Sequence, residues 1–279
     1  MIKYNYLSKR PWLIVFSFLI INGQQTQLTN SLDITPPRLN QKNVNIDGFL
    51  DEVEWTKAVS QSGFTSYLPV DGRPAEDDTE VRIWYSPTAL YFGIIAHEIH
   101  NEVRSTLADR DKLENDDYLI LILDTYDDKR SAFAFVVNPL GQQGDGTITD
   151  NTSMGRNSKS FRLDDNPDYV FNSRGRLTED GFIVEIEIPF KSLRYQSKNT
   201  QNWGFNVLRH IQHSGYTSTL INTKLGAASF LGQSGKLVNL SGIERDRIFD
   251  INPEIRGAVR READDKNFNS EMIDPVGFN

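Results

Sequence analysis

Glu185 and Glu187, one residue apart in Ile183-Val184-Glu185-Ile186-Glu187-Ile188, have the spacing of a hydrolytic pair. On one face of a strand rising about 3.3 Å per residue, their Cα atoms lie about 6.6 Å apart. Paired glycosidase acids sit about 5 to 9.5 Å apart, but they flank the scissile bond from opposite sides of a cleft. Two acids side by side on one strand do not flank anything. They mark a wet strand face, or they accept hydrogen bonds from the hydroxyls of a bound ligand. Other catalytic signatures are lacking. His97, His100, His210 and His213 do not have metal-protease spacing, and there is no Gly-x-Ser-x-Gly elbow, no phosphate-binding glycine loop and no cysteine.

A second cluster, Asp109, Asp111, Glu114, Asp116 and Asp117, has the chemistry of a calcium loop, because calcium takes six to eight oxygen ligands. The spacing is not that of an EF-hand. Arg104, Arg110 and Lys112 are interspersed, so a solvated loop with balanced charge is the alternative. Asp124, Asp127 and Asp128 form a weaker second group. Calcium is the cofactor these patterns suggest. Among the aromatics, Trp84 and Tyr126 are candidates for stacking on a ligand. Trp84 alternates with Val81 and Ile83 and so faces a second layer or solvent, while Tyr126 lies in a polar turn. Trp203, entering a strand after Thr200-Gln201-Asn202, reads as core.

These side chains need a scaffold, and its periodicity is mostly two, with breakers at the spacing of an all-β protein. Thr79 to Tyr85 and Leu90 to Ala96, separated by Ser86-Pro87, predict a hairpin. Tyr118 to Leu123 is apolar at every position and suits a strand covered on both faces. Ser131 to Asn138, Gly181 to Pro189 and Trp203 to Ile211 supply further strands. Gly141 to Gly146 reads as a turn-rich link, and Asp150 to Asp168 as a polar surface loop. The predicted class is an all-β antiparallel sandwich, jelly-roll-like, with few short helices.

Lys3, Lys9 and Arg10 precede the apolar run Trp12 to Ile21, which gives way to Asn22-Gly23-Gln24-Gln25. The run is too short for a helix to span about 30 Å of hydrocarbon, so residues 1–23 read as a signal peptide cleaved near Gly23. No cysteine follows for a lipid anchor or a disulfide framework. Export without cysteine points to a bacterial envelope protein. The net charge of −8 over 279 residues opposes nucleic acid as a partner.

The stretch Ile46-Asp47-Gly48-Phe49-Leu50-Asp51-Glu52-Val53-Glu54-Trp55 resembles the entry motif of the family 9 carbohydrate-binding modules. Asp47-Gly48 suits a tight turn, and Trp55 reads as the core residue that pins it. The resemblance continues, in order, through Arg110-Asp111, Asp116-Asp117, Leu123 to Asp128, Val137 to Gly141, Asp180-Gly181-Phe182, Glu187 to Phe190 and Leu193-Arg194-Tyr195. These segments look like a bacterial envelope family that sets such a module ahead of an outer-membrane β-barrel. The resemblance implies a sandwich over residues 35–245, structural calcium, and glycan recognition without catalysis in support of polysaccharide breakdown or uptake. It also implies that residues 246–279 begin an envelope or barrel domain. The family's aromatic clamp falls at Leu113 and at Ala228-Ser229-Phe230, which makes Phe230 the surviving clamp candidate, and its strand acid falls at Ile120. Candidate ligand contacts are thus Trp84, Tyr126, Phe230, Glu185 and Glu187. A plug-like domain folded against its own or a partner's barrel, and a glycoside hydrolase, are the alternatives.

Overall fold

The computed structural model describes residues 32–40, 44–149, 163–164 and 167–244, together with the backbone of two strands beyond them. The expected signal peptide and most of the 150–168 stretch lie outside the described residues. In chain order the strands are β1 (Asp33–Ile34), β2 (Val59–Gln61), β3 (Thr65–Leu68), β4 (Thr79–Tyr85), β5 (Ala89–His97), β6 (Tyr118–Asp124), β7 (Ser131–Val137) and β8 (Gln143–Thr149). They continue with β9 (Asn172–Thr178), β10 (Gly181–Pro189), β11 (Thr200–Ile211), β12 (Tyr216–Thr219) and β13 (Gly235–Ser241). A separate hairpin pairs β14 (Ala258–Arg261) with β15 (Ser270–Ile273). One short helix, α1 (Val53–Lys57), precedes β2.

Strands β1 to β13 form two sheets. The first runs β1-β13-β11-β6-β7-β8, with β12 also paired to β11 and β3 to β12, and the second runs β2-β4-β5-β10-β9. Every pair is antiparallel except β1 with β13. The β4–β5 hairpin forms as its sequence predicts, with Val81 opposite Ile94 and Ile83 opposite Phe92. Between the sheets lies the main core. Leu119, Leu121 and Leu123 of β6 and Trp203, Phe205 and Val207 of β11 face Val81, Ile83, Phe92, Ile94, Val184 and Ile186 of the second sheet. These positions recur every second residue, as one face of a pleated strand must.

The outer faces of both sheets are covered as well. Ile120, Ile122, Ala134 and Val136 on the back of the first sheet pack under Tyr67, Leu113, Phe230 and Leu231. Trp84, Ala89 and Tyr91 on the back of the second pack under Trp55, Leu39, Val44, Ile46 and Leu50. This double covering is why β6 carries no polar alternation. Gly93 of β5 makes the second cover possible. A Cβ there would meet Leu50 Cδ2 at 2.7 Å and the Trp55 ring at 2.9 Å.

One stretch differs from its sequence reading. The expected link Gly141 to Gly146 is largely strand, because β8 begins at Gln143. Gly141 does turn the chain, with a φ of +81°, whereas Gly146 admits neighbouring backbone, since a Cβ there would meet the carbonyl oxygen of Asp164 at 2.5 Å.

Candidate functional site

Glu185 does not lie on a wet face. It is fully buried on the back of β10, roofed by the segment from Asp47 to Trp55. Its Oε2 accepts the backbone N–H groups of Asp47 (3.0 Å) and Gly48 (3.1 Å), and its Oε1 accepts the Trp55 indole N–H (3.1 Å). Burial pushes its pKa up to about 7, with the three donors opposing the shift and Glu52 adding to it. Its role is that of an internal acceptor pinning the Asp47-Gly48 turn. Glu187, two residues on, accepts the Tyr91 hydroxyl (2.8 Å) and the Asn172 amide (2.7 Å). The two acids share a strand face, yet only Glu187 reaches solvent, so they form no cleft.

Trp84 is likewise enclosed, stacked on Tyr91 with ring centroids 3.9 Å apart and edge-on to Trp55 at 5.9 Å. It presents no face to a ligand, because the segment entering α1 covers the strand surface that alternation left open. Phe230 is buried against Tyr67, 5.7 Å between centroids, in the same cluster as Leu113 and Ile120. The clamp positions Leu113 and Phe230 and the strand-acid position Ile120 are therefore all apolar and packed together. Tyr126, at 44% exposure, stands in the β6–β7 turn as expected. Buried Asp124 organises that turn by accepting the N–H groups of Tyr126, Asp128 and Lys129.

The five acids proposed for calcium do not converge. Asp109 and Glu114 are exposed. Asp116 is buried and accepts from the Thr106 N–H and hydroxyl and the Asn138 amide. Asp117 accepts from the backbone of Arg104 and Gln212, and burial raises its pKa. Only Asp111 turns toward other acids. Its carboxylate lies with those of Asp145 and Asp168, ligand atoms within 4.8 Å of one another. Sequence spacing hid this grouping, since Asp145 comes from β8, and the Asp145 N–H donates to Asp111 Oδ1 at 2.9 Å. The Arg110 side chain, however, enters the same cluster and bonds Asp145.

An open cleft of about 270 Å³ lies beside the edge pairing of β3 with β12. Tyr216, Thr217 and Ser218 line it from β12 and Ser66 from β3, with Pro69, Val70, Arg73, Pro74, Glu76 and Asp77 from the loop between β3 and β4. Tyr216 is 46% exposed and Val70 51%. The loop is tied back on itself. Ser66 N–H donates to the Arg73 carbonyl (2.7 Å), Gly72 N–H to the Ser66 carbonyl (3.1 Å), and Leu225 N–H to Asp71 Oδ2 (2.9 Å). Asp77 is buried, accepts the Ile99 N–H at 2.9 Å and feels the charge of buried Arg209. The cleft thus combines an aromatic face, apolar walls and fixed polar groups, which is the composition of a small polar-ligand site. None of its residues stood out in the sequence. Tyr216 follows a Ser214-Gly215 turn, and its loop partners come from about 140 residues earlier.

Known structures share this architecture. Two structures of a family 9 carbohydrate-binding module from Caldicellulosiruptor kristjanssonii, one in complex with cellotriose and one with glucose, each match with a TM-score of 0.51 and 16% identity. The first match covers 78% of this chain and 99% of that one, the second 80% and 100%. A candidate carbohydrate-binding protein from Bacteroides uniformis matches with a TM-score of 0.55 and 12% identity, covering 74% of this chain and 98% of its own. No protein-family profile matches the sequence, and no curated protein does. At these identities the likeness is one of fold, an antiparallel β-sandwich of the family 9 module type.

Proposed function

We propose that this chain is a non-catalytic saccharide-binding module and that its sugar seat is the cleft between the β3–β12 pair and the loop that follows β3. The observation that carries the reading is the sandwich itself, because neighbours with this architecture were solved holding cellotriose and glucose. In this chain Leu113, Ile120 and Phe230 are absorbed into packing, so the clamp suggested by resemblance has no open faces. The β3–β12 cleft supplies what that region lacks. Tyr216 offers a ring face for a pyranose, Pro69, Val70 and Pro74 take its apolar edge, and Arg73 and Glu76 reach its hydroxyls. The cleft is slightly smaller than the roughly 300 Å³ at which drug-sized pockets begin, which suits one terminal sugar unit. The basic and apolar leader supports export to the periplasm, outer membrane or cell surface, where the module would hold polysaccharide fragments for breakdown or uptake.

Calorimetric titration of the full chain with glucose, cellotriose and fragments of xylan and chitin tests the proposal. We expect saturable heat with at least one of them. Tyr216→Ala should weaken it about 3- to 10-fold, the loss of about 0.5–1.5 kcal/mol of stacking, and Tyr126→Ala should leave it unchanged. Heat abolished by Tyr126→Ala but not by Tyr216→Ala would move the site to the β6–β7 turn. A folded protein that gives no heat with any glycan would overturn the saccharide reading in favour of a plug-like domain packed against an outer-membrane barrel.

A further inference from the structure

Arg110 lies in the loop before β6, next to Asp111, whose positive φ of 63° turns the chain sharply toward β8. Asp111 N–H donates to the Gln143 carbonyl (3.1 Å), and the Asp145 N–H returns a bond to Asp111 Oδ1 (2.9 Å). This double stitch holds the guanidinium among oxygens. Arg110 Nη1 donates to Gln143 Oε1 (2.9 Å), and Nη2 donates to the Tyr169 carbonyl (2.7 Å) and to Asp145 Oδ1. Its Nε lies 3.9 Å from Asp168 Oδ1, and the Phe171 ring lies 5.6 Å from its central carbon.

The surrounding groups are themselves fixed. Gln143 turns its amide nitrogen to the Phe171 carbonyl (3.0 Å) and Ser173 Oγ (2.9 Å), which aims its oxygen at Arg110. The Asp145 side chain is 1% exposed, and its second oxygen accepts the Tyr169 N–H. Three carboxylates, a side-chain amide oxygen and a backbone carbonyl therefore converge from three segments that are distant in sequence. Hard oxygens of mixed type at this density are what calcium requires, yet the positive group at their centre belongs to the chain.

We propose that the Arg110 guanidinium is the resident cation of this oxygen cage, making the sandwich independent of the structural calcium implied by its family resemblance. A guanidinium suits the task. It stays protonated at all working pH values, spreads five donors over several acceptors, and is tethered, so no ion has to be recruited from solution. One further consequence follows from charge. Removing it leaves three carboxylates and two neutral oxygens facing one another, an arrangement that attracts a divalent ion.

The test is thermal unfolding of the full chain in millimolar calcium and in chelator. The wild type should show the same Tm in both. Arg110→Gln should have a lower Tm in chelator, and calcium should raise it saturably, by about 5–10 °C at a concentration a hundredfold above Kd. Adding Asp145→Asn to Arg110→Gln should abolish that rise and place the ion in the cage. If Arg110→Gln does not fold, Arg110→Lys, which keeps one charge but cannot span the acceptors, is read by the same titration. A wild type stabilised by calcium would overturn the proposal, as would a folded Arg110 variant indifferent to it.

Discussion

Burial of Glu185 predicts a specific dependence of stability on pH. The carboxyl has its pKa raised from 4.5 to about 7 in the folded chain, with burial outweighing the N–H groups of Asp47, Gly48 and Trp55. Between those values the native state holds a proton that the unfolded state has released, so the contribution is fully present below pH about 4.5 and is lost as pH rises through about 7. A shift of about 2.5 units at 1.36 kcal/mol per unit corresponds to a loss on the order of 3 kcal/mol. Glu185→Gln removes the titration while keeping side-chain volume. The stability of wild type minus that of the variant, measured by urea unfolding at intervals from pH 4 to 8, should therefore fall with a slope approaching 1.4 kcal/mol per unit and level off above about pH 7. Subtracting the variant cancels the other titrating groups. A difference that stays flat across this range would refute the reasoning and mean that the three N–H donors fully offset desolvation. A difference that rises with pH would mean that they exceed it.

Two further substitutions probe the scaffold around the candidate sites. Gly93→Ala should destabilise the fold by about 1–3 kcal/mol, because its methyl group would meet Leu50 and Trp55 inside 3 Å, and Leu50→Ala should relieve part of that cost in a double-mutant cycle. Asp124→Ala should cost about 1–3 kcal/mol by denaturant unfolding, since the N–H groups of Tyr126, Asp128 and Lys129 lose their shared acceptor, while leaving saccharide affinity in the β3–β12 cleft unaltered.

The strands were legible because they are local. Alternation in Thr79–Tyr85 and the unbroken apolar run of β6 report which faces of a strand are buried, and the sheets agree with both. Trp84 and Glu185 show the limit of that signal. Alternation correctly puts them on the face away from the main core, but it cannot reveal that a segment 30 to 140 residues earlier folds over that face and dries it. The acids near Asp111 show the same limit. Their density in sequence suggested one loop site, whereas backbone geometry sent Asp116 and Asp117 inward as separate acceptors and joined Asp111 to Asp145 and Asp168.

By itself, the sequence determined the all-β class, the β4–β5 hairpin, the doubly covered β6, the core placement of Trp55 and Trp203, and a resemblance to family 9 carbohydrate-binding modules whose fold the structure shares. These rest on side-chain periodicity and turn chemistry, which act over a few residues. Tertiary structure alone decided that the clamp positions Leu113 and Phe230 and the strand-acid position Ile120 close into a second core, that Tyr216 meets the Pro69–Asp77 loop across a cleft, and that a guanidinium sits where acids converge. Each of those outcomes depends on contacts between segments far apart in the chain, set by sheet order and packing.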